Sequence, residues 1–322
     1  MLTTDLQKAK EVLINNGLIA LPTETVYGLA GNAHNESAIN QIFTLKKRPL
    51  YNPLIVHVKS VQAIHDVAWH IPENAWILAE NFCPGPLTLI LEKKEHISNL
   101  VTGGKNTIAV RVPNHPLTLK LLDSLNFPLA APSANPFGSI SPTKAEHVLD
   151  YFGKQIEVIL DGGECEKGLE STIIGFENNN PVLYRHGSIS IEEIEKCIGK
   201  VKVTHNNDKS PIAPGMLSRH YAPNTDTYLS DNIVETLKYY EGKKIGLLLF
   251  KNQIHNKHIC HQEVLSCSGN LNEAAKNLYA AMHRLDKNNL DLIIAEKFPD
   301  HGLGKTINDK LVRATFKNRS KE

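Results

Sequence analysis

From residue 18 to about residue 200 the sequence alternates short β-rich runs with stretches of helical periodicity, and no other feature restricts the fold so strongly. The runs are Leu18–Leu21, Pro53–Val58, Thr88–Glu92, Thr107–Val112, Leu129–Ala131, Val158–Leu160, Ser171–Phe176 and Val182–Tyr184. Helical patterns lie near 36–47, 61–82, 115–125, 143–152 and 190–198. This order predicts an α/β fold, a twisted sheet with flanking helices. Runs 171–176 and 182–184 are too close for a helical crossover, so they pair antiparallel and the sheet is mixed. With 322 residues, 41% of them hydrophobic and 21% charged, the chain can bury such a core in one large domain or two ordinary ones.

The alternation breaks at 200–223, a stretch with prolines at 211, 214 and 223 and little periodicity, which reads as a linker. Beyond it, Lys244–Phe250 has the pattern of a buried strand, Asn270–Lys287 that of a long amphipathic helix, and Leu290–Phe298 that of another strand. About 100 residues in this order suggest a smaller Rossmann-like α/β C-terminal domain. The division is therefore 1–200, a linker over 201–223, and 224–322.

The opening MLTTDLQKAKEVLINNG has no long apolar run and reads as an amphipathic helix capped by Thr4 or Asp5 and stopped by Gly17, not as a signal peptide or membrane span. Lys and Arg total 35 against 34 Asp and Glu, which argues against a chain that mainly coats nucleic acid. The five cysteines are an odd number with no Cys-x-x-Cys, so a disulfide scaffold or zinc ribbon is not expected and a reducing cytoplasm fits best.

Polar groups recur where strands end. Leu21-Pro22-Thr23-Glu24-Thr25-Val26-Tyr27-Gly28-Leu29 follows a strand, where α/β sheets carry ligand loops, although a capped turn explains it equally well. Lys46-Lys47-Arg48-Pro49 closes a helix, as the helix dipole favours, but leads through Asn52 directly into a strand containing His57, which holds the cations beside the sheet. Arg111, central in an apolar strand, needs a partner: an internal Asp or Glu, or a bound carboxylate. Ala131-Pro132-Ser133-Ala134-Asn135, followed by Ser139 and Ser141, ends a strand in small hydroxyl and amide residues suited to phosphate oxygens, or forms an ordinary turn. Gly168-Leu169-Glu170-Ser171-Thr172 and Tyr184-Arg185-His186-Gly187 add two more such points. Each is weak alone. Together they are the pattern of a site for an anionic ligand.

Taken in order, PTETVYGL, the Lys46/Arg48 and Ser133/Asn135 elements, FCPGPLTLIL, TIAVRVP, GLEST and YRHG resemble the YrdC-like threonylcarbamoyl-AMP synthases, and APGMLSRHYAP and GLGKTINDKLVRA resemble their longer two-domain branch. Cys83 and His186 depart from the family pattern without touching its ligand positions. The resemblance implies the YrdC-like fold and the formation of threonylcarbamoyl-AMP and pyrophosphate from L-threonine, bicarbonate and ATP, with Mg2+ accompanying ATP. It implies that the product passes to a tRNA threonylcarbamoyl transferase complex, with at most weak direct contact to tRNA and none to a membrane. By motif it puts threonine near Thr25, His57, Arg111, Ala131 and Ser171, with Arg111 facing the carboxylate. It puts ATP on Lys46, Arg48, Asn52, Thr107, Ser133, Asn135, Ser141 and Arg185, with Tyr221 of the linker closing over the nucleotide; Lys46, Arg48, Ser133 and Asn135 are the catalytic set.

Two local patterns compete with this reading. Gly304-Lys305-Thr306 looks like the end of a P-loop, but Pro299 stands where the required Gly would be. His255, His258, Cys260, His261 and Cys267 form a patch that matches no zinc spacing. The rival functions are an RNA-binding YrdC-like module without adenylate synthesis, and the carbamoyl-adenylate step of hydrogenase maturation, whose larger proteins carry Cys-x-x-Cys modules absent here.

Overall fold

A computed structural model describes residues 1–204 and 211–315. Its larger sheet is mixed, as expected. In spatial order its strands are Leu2–Thr3, Val158–Leu160, Ile19–Leu21, Gly28–Asn32, Leu129–Ala130, Ile55–His57, Thr107–Arg111, Leu87–Lys93, Thr172–Glu177, Asn180–Arg185 and Lys202–Val203, with Ala68–Trp69 paired beside Leu87–Lys93. The run after Ser171 and the one before Arg185 pair antiparallel, as their short connection requires. The first helix, Leu6–Ile14, is capped by Asp5, whose carboxylate accepts from the N–H groups of Gln7 and Lys8.

Gly28–Asn32 is a strand that propensity disfavours, because it holds two glycines. Its pairing shows why Gly is needed: a Cβ on Gly31 would lie 2.8 Å from the Leu18 side chain and 3.4 Å from Ala38. The helix Glu36–Lys46 packs directly on this strand, burying Ala38, Ile39, Ile42 and Phe43. The helical pattern expected over 61–82 divides into a 3-10 turn, Gln62–Asp66, a two-residue strand and the helix Glu73–Phe82. Pro72 sits just before Glu73; proline cannot continue an incoming helix but suits a helix start.

The second unit is a four-stranded parallel sheet in the order Thr227–Ser230, Leu292–Glu296, Ile245–Leu249, Ile259–Val264. The expected strands and the long helix, Leu271–Asp286, are present. Ile259–Val264 lies at an edge, with no residue fully buried, and its two exposed residues are Cys260 and His261 of the His/Cys patch. Among the described residues no group of three or more His, Cys, Asp or Glu is placed to hold a metal ion. The P-loop look-alike opens the helix Leu303–Ala314, where Gly304 passes so close to Pro299 O that a Cβ has no room. No helix among the described residues is long and apolar enough to cross a membrane. The two units share an interface core in which Val26, Ile140 and Leu169 of the first and Tyr221 of the linker meet Leu278, Tyr279, Met282 and Ile307 of the second.

Candidate active site

The turn after Ile19–Leu21 is built by Thr23. Its hydroxyl donates to Val26 O at 2.7 Å and accepts from the N–H groups of Thr25 and Val26, which holds a tight loop. The loop presents Glu24 and Thr25 to Arg111 at the end of the strand Thr107–Arg111. Arg111 is buried. Its Nη2 donates to Glu24 Oε1 at 2.6 Å, Nη1 to Thr25 Oγ1 at 2.9 Å and Nε to Gly85 O at 3.2 Å. The other Glu24 oxygen accepts from Asn114 N–H at 2.9 Å. The partner that Arg111 requires is thus an internal carboxylate, and three of its five N–H groups are engaged.

Arg111 borders a cavity shared with Thr25, Arg48, His57, Ala131, Ser133, Glu170, Ser171, Arg185 and, from the linker, Pro214, Gly215, His220 and Tyr221. His57 follows from the register: it pairs with Arg111 across parallel strands, so both side chains leave the same face. Burial first, and the Arg111 charge second, press the His57 pKa down to about 3, so the ring is neutral. Its Nδ1 finds no partner among the described residues, and neither does Nδ1 of His220. Burial, then Arg48, also holds His220 well below the ordinary histidine range. Two neutral, under-bonded imidazoles in one cavity are unusual and point to a ligand with hydrogen-bonding groups.

Other expected residues stand behind the cavity wall. Lys46 is almost completely buried; its ammonium donates to Ser133 O at 2.5 Å and also to Asn135 O, pinning the Ser133–Asn135 loop. Burial, then Arg48, lowers its pKa. Asn52 receives Arg48: Nη2 donates to Asn52 Oδ1 at 2.7 Å and to Pro53 O at 2.7 Å. Asn135 donates to Pro136 O and Ser139 O, leaving Oδ1 unpartnered among the described residues. Ser141 donates to Glu170 Oε1 at 2.5 Å. Thr107 is the exception. It begins the strand that Arg111 ends and lines a different surface depression, with Lys105, Glu92 and Tyr184.

Arg185 completes the cationic wall. It donates to Ser171 O at 2.8 Å, to Ser171 Oγ at 3.0 Å and to Pro214 O at 3.3 Å, while Ser171 Oγ also meets Thr88 Oγ1 at 2.7 Å. Three guanidinium groups against two carboxylates, with Glu24 already paired, leave a positive surplus suited to an anion. The second carboxylate, Glu170, accepts from Tyr279 of the second unit at 2.8 Å. Tyr279, Lys310 and Arg313 escaped the sequence reading because nothing in one dimension ties them to this cavity. The surviving signal was two basic residues three apart on one face of GLGKTINDKLVRA. The cavity is about 50 Å3, against roughly 300–1,000 Å3 for ordinary ligand clefts. A ligand of nucleotide size therefore enters only when a wall moves, and the linker part of the lining belongs to a described stretch, 211–226, that holds no helix or strand.

A family model described as telomere recombination, named Sua5_yciO_yrdC, matches residues 11–187. A second, described as threonylcarbamoyl-AMP synthase, C-terminal domain, matches residues 189–315. The threonylcarbamoyl-AMP synthase of Pyrococcus abyssi is 41% identical over 312 residues, 92% of this chain and 90% of that protein. That of Bacillus subtilis is 39% identical over 317 residues, 95% of this chain and 92% of that one. The crystal structure of P. abyssi Sua5 complexed with L-threonine matches with a TM-score of 0.90 at 38% identity, covering 97% of this chain and 94% of that chain. E. coli YciO matches with a TM-score of 0.51 at 24% identity over 56% of this chain and 88% of that one, a likeness of fold alone. With both models in sequence and relatives aligned over nearly their whole length, the chain belongs to the Sua5/YciO/YrdC family, in the two-domain form that carries the threonylcarbamoyl-AMP synthase C-terminal domain.

Proposed function

We propose that this chain is a nucleotidyltransferase, an L-threonylcarbamoyladenylate synthase that converts L-threonine, bicarbonate and ATP into threonylcarbamoyl-AMP and pyrophosphate for tRNA modification. The observation that carries the reading is the convergence of Arg48, Arg111 and Arg185 on one small cavity beside a neutral, under-bonded His57. The relatives aligned over nearly their whole length are threonylcarbamoyl-AMP synthases and the P. abyssi structure holds L-threonine, and both support the same substrate class.

In this reading threonine lies among Thr25, His57, Arg111, Ala131 and Ser171. The Arg111 N–H groups not used by Glu24, Thr25 and Gly85 take its carboxylate, and Thr25 and Glu24 hold the guanidinium in place. ATP lies along Arg48, Ser133 and Arg185, while Lys46, Asn52, Asn135 and Ser141 shape the loops that bear on it. Thr107 would reach the nucleotide only through a change in its surroundings. The threonine amine attacks bicarbonate and water leaves, giving a carbamate; one carbamate oxygen then attacks the α-phosphorus, and the bond to the β-phosphate oxygen breaks as pyrophosphate leaves. No side chain forms a covalent bond. Positioning contributes about 7–11 kcal/mol in well-oriented systems, and fixed guanidinium groups stabilise the charge that develops. Mg2+ accompanies the nucleotide as part of that substrate, while Glu24 and Glu170 are taken up by Arg111, Ser141 and Tyr279. Residues 1–200 form the catalytic domain, 201–223 the linker, whose described stretch 211–223 is the lid with Tyr221 over the nucleotide, and 224–322 the second domain; 205–210 and 316–322 of these spans lie outside the described residues. The product is then handed to a tRNA threonylcarbamoyl transferase.

Incubation of the purified chain with ATP, labelled bicarbonate and single amino acids tests this. Pyrophosphate and a labelled adenylate are expected only when threonine and bicarbonate are both present. Cleavage of ATP without threonine, or to ADP, overturns the reading. Serine differs by one methyl group, worth about 1–3 kcal/mol, so some turnover of serine is expected at high concentration.

A further inference from the structure

The cavity is roofed by Pro214, Gly215, His220 and Tyr221, and the last helix of the second unit, Leu303–Ala314, grips that roof at several points. Arg313 is buried and donates through Nη1 to Gly215 O at 2.7 Å and to Leu217 O at 2.8 Å. Its own carbonyl accepts from His220 N–H at 3.2 Å. Three residues earlier, Lys310 is 1% exposed; its Nζ donates to His186 O at 2.8 Å, meets Tyr221 OH at 3.4 Å and lies 4.7 Å from the centre of the Tyr221 ring. Thr306, one turn further back, donates to Gly187 O at 3.0 Å. Thr306, Lys310 and Arg313 form one polar stripe, while Ile307, Leu311 and Ala314 fill the core of the second unit. Asp309 fixes both cations, accepting from Arg313 Nε at 3.0 Å and standing 3.5 Å from Lys310 Nζ.

The roof is held in a conformation that a free chain avoids. Tyr221 has φ +62 and Gly215 φ +80, both in the left-handed region. For tyrosine that region is disfavoured and persists only where surroundings enforce it. Here Lys310 sits over the ring and Tyr279 stacks at 5.7 Å between ring centres. Arg185 of the first unit takes Pro214 O. Linker carbonyls at 214, 215 and 217 are thus held by guanidinium groups of both units, over a cavity of roughly 50 Å3.

We propose that Arg313 and Lys310 are positioning residues for the reaction: they latch the linker over the site and set the balance between its closed and open states. This rests on the reading of the cavity as the adenylate-forming site. The second unit then has a defined part, since its sheet carries the helix that carries the latch.

The test uses the full chain with Arg313→Ala, Arg313→Lys and Lys310→Met. Hydrogen exchange at the linker amides between 212 and 222, without ligands, is expected to speed up at least tenfold in Arg313→Ala, with exchange in both sheets unchanged. Product formation per folded molecule is expected to fall at least tenfold in kcat while the threonine KM stays within threefold. Arg313→Lys, which keeps the charge but not the paired geometry, is expected to recover part of both; if Arg313→Ala does not fold, Arg313→Lys and Lys310→Met are read by the same criteria. Native linker exchange in a folded variant overturns the latch. So does faster exchange with unchanged turnover, or a loss of activity that only tracks the folded fraction. If the native chain makes no adenylate, the proposed reaction falls by itself, and the exchange data still decide whether the helix holds the linker.

Discussion

Replacing Arg111 with Met should cost the fold far more than a typical surface change. Arg111 and Glu24 are 4% and 3% exposed and meet at 2.6 Å, so the substitution leaves a buried carboxylate with the Asn114 N–H as its remaining partner. Removing one member of such a pair costs about 3–5 kcal/mol, a large share of a total stability of about 5–15 kcal/mol. Glu24→Gln combined with Arg111→Met removes both charges, so most of that loss should be recovered, with a coupling of about 2–3 kcal/mol in the double-mutant cycle. Urea denaturation followed through Trp69 and Trp76, the two tryptophans and both in the first unit, reports on this region. Calorimetry with threonine on the double variant separates fold from function. Binding should weaken about ten- to a hundredfold, the range of a charge-assisted hydrogen bond of roughly 1.5–3 kcal/mol. A cost below about 1 kcal/mol for Arg111→Met, or a double variant no more stable than the single one, would refute the buried-pair argument. Native threonine affinity in the double variant would remove Arg111 from the carboxylate site.

Arg48→Ala should fail in the opposite way, weakening ATP while threonine affinity stays within about threefold; calorimetry of both ligands checks this, and loss of threonine alone contradicts it. His147 and His283 stack at 3.9 Å, and burial first holds them down, to about 3 and about 4, so both are neutral in the folded chain. The unfolded chain therefore binds more protons below pH 6.5. The stability from these rings is complete above that value and is lost as pH falls towards 4, about 1.4 kcal/mol per ring by pH 5.5. The midpoint in urea should drop accordingly between pH 7.5 and 5.5, and His283→Phe should flatten that slope; an unchanged slope contradicts the assignment. Gly168 has φ +71, and a Cβ there would stand 2.2 Å from Lys276 O of the second unit. Gly168→Ala should therefore loosen the junction between the units and lower the melting temperature, whereas Gly104→Ala, at φ +80 with nothing within 4 Å, isolates the backbone cost alone.

The alternation of runs was enough to read the α/β class, the mixed pairing after Ser171 and most strand positions, because hydrophobic period and connection length are local properties. The clustering of hydroxyls, amides and cations at strand ends likewise indicated an anionic ligand before any side chain was placed, since strand ends of one sheet come together whatever the detail. Pairing across the chain was a different matter. Gly28–Asn32 is a strand because it pairs with Ile19–Leu21 and Leu129–Ala130, against its own propensity. Arg111 is satisfied by Glu24, 87 residues away in sequence, and Lys46 turns inward to two carbonyls. Thr107 and Arg111 share one strand yet border different hollows, because they stand at its opposite ends. Tyr279 reads as an ordinary position on an amphipathic helix, and Lys310 and Arg313 as part of the GLGKTINDKLVRA stretch, until the second unit packs against the linker. Sequence thus determined the elements and the chemical character of the site, both written in short-range pattern. Only the tertiary structure decided which charges neutralise one another and what roofs the cavity, because burial and electrostatics depend on distance in space.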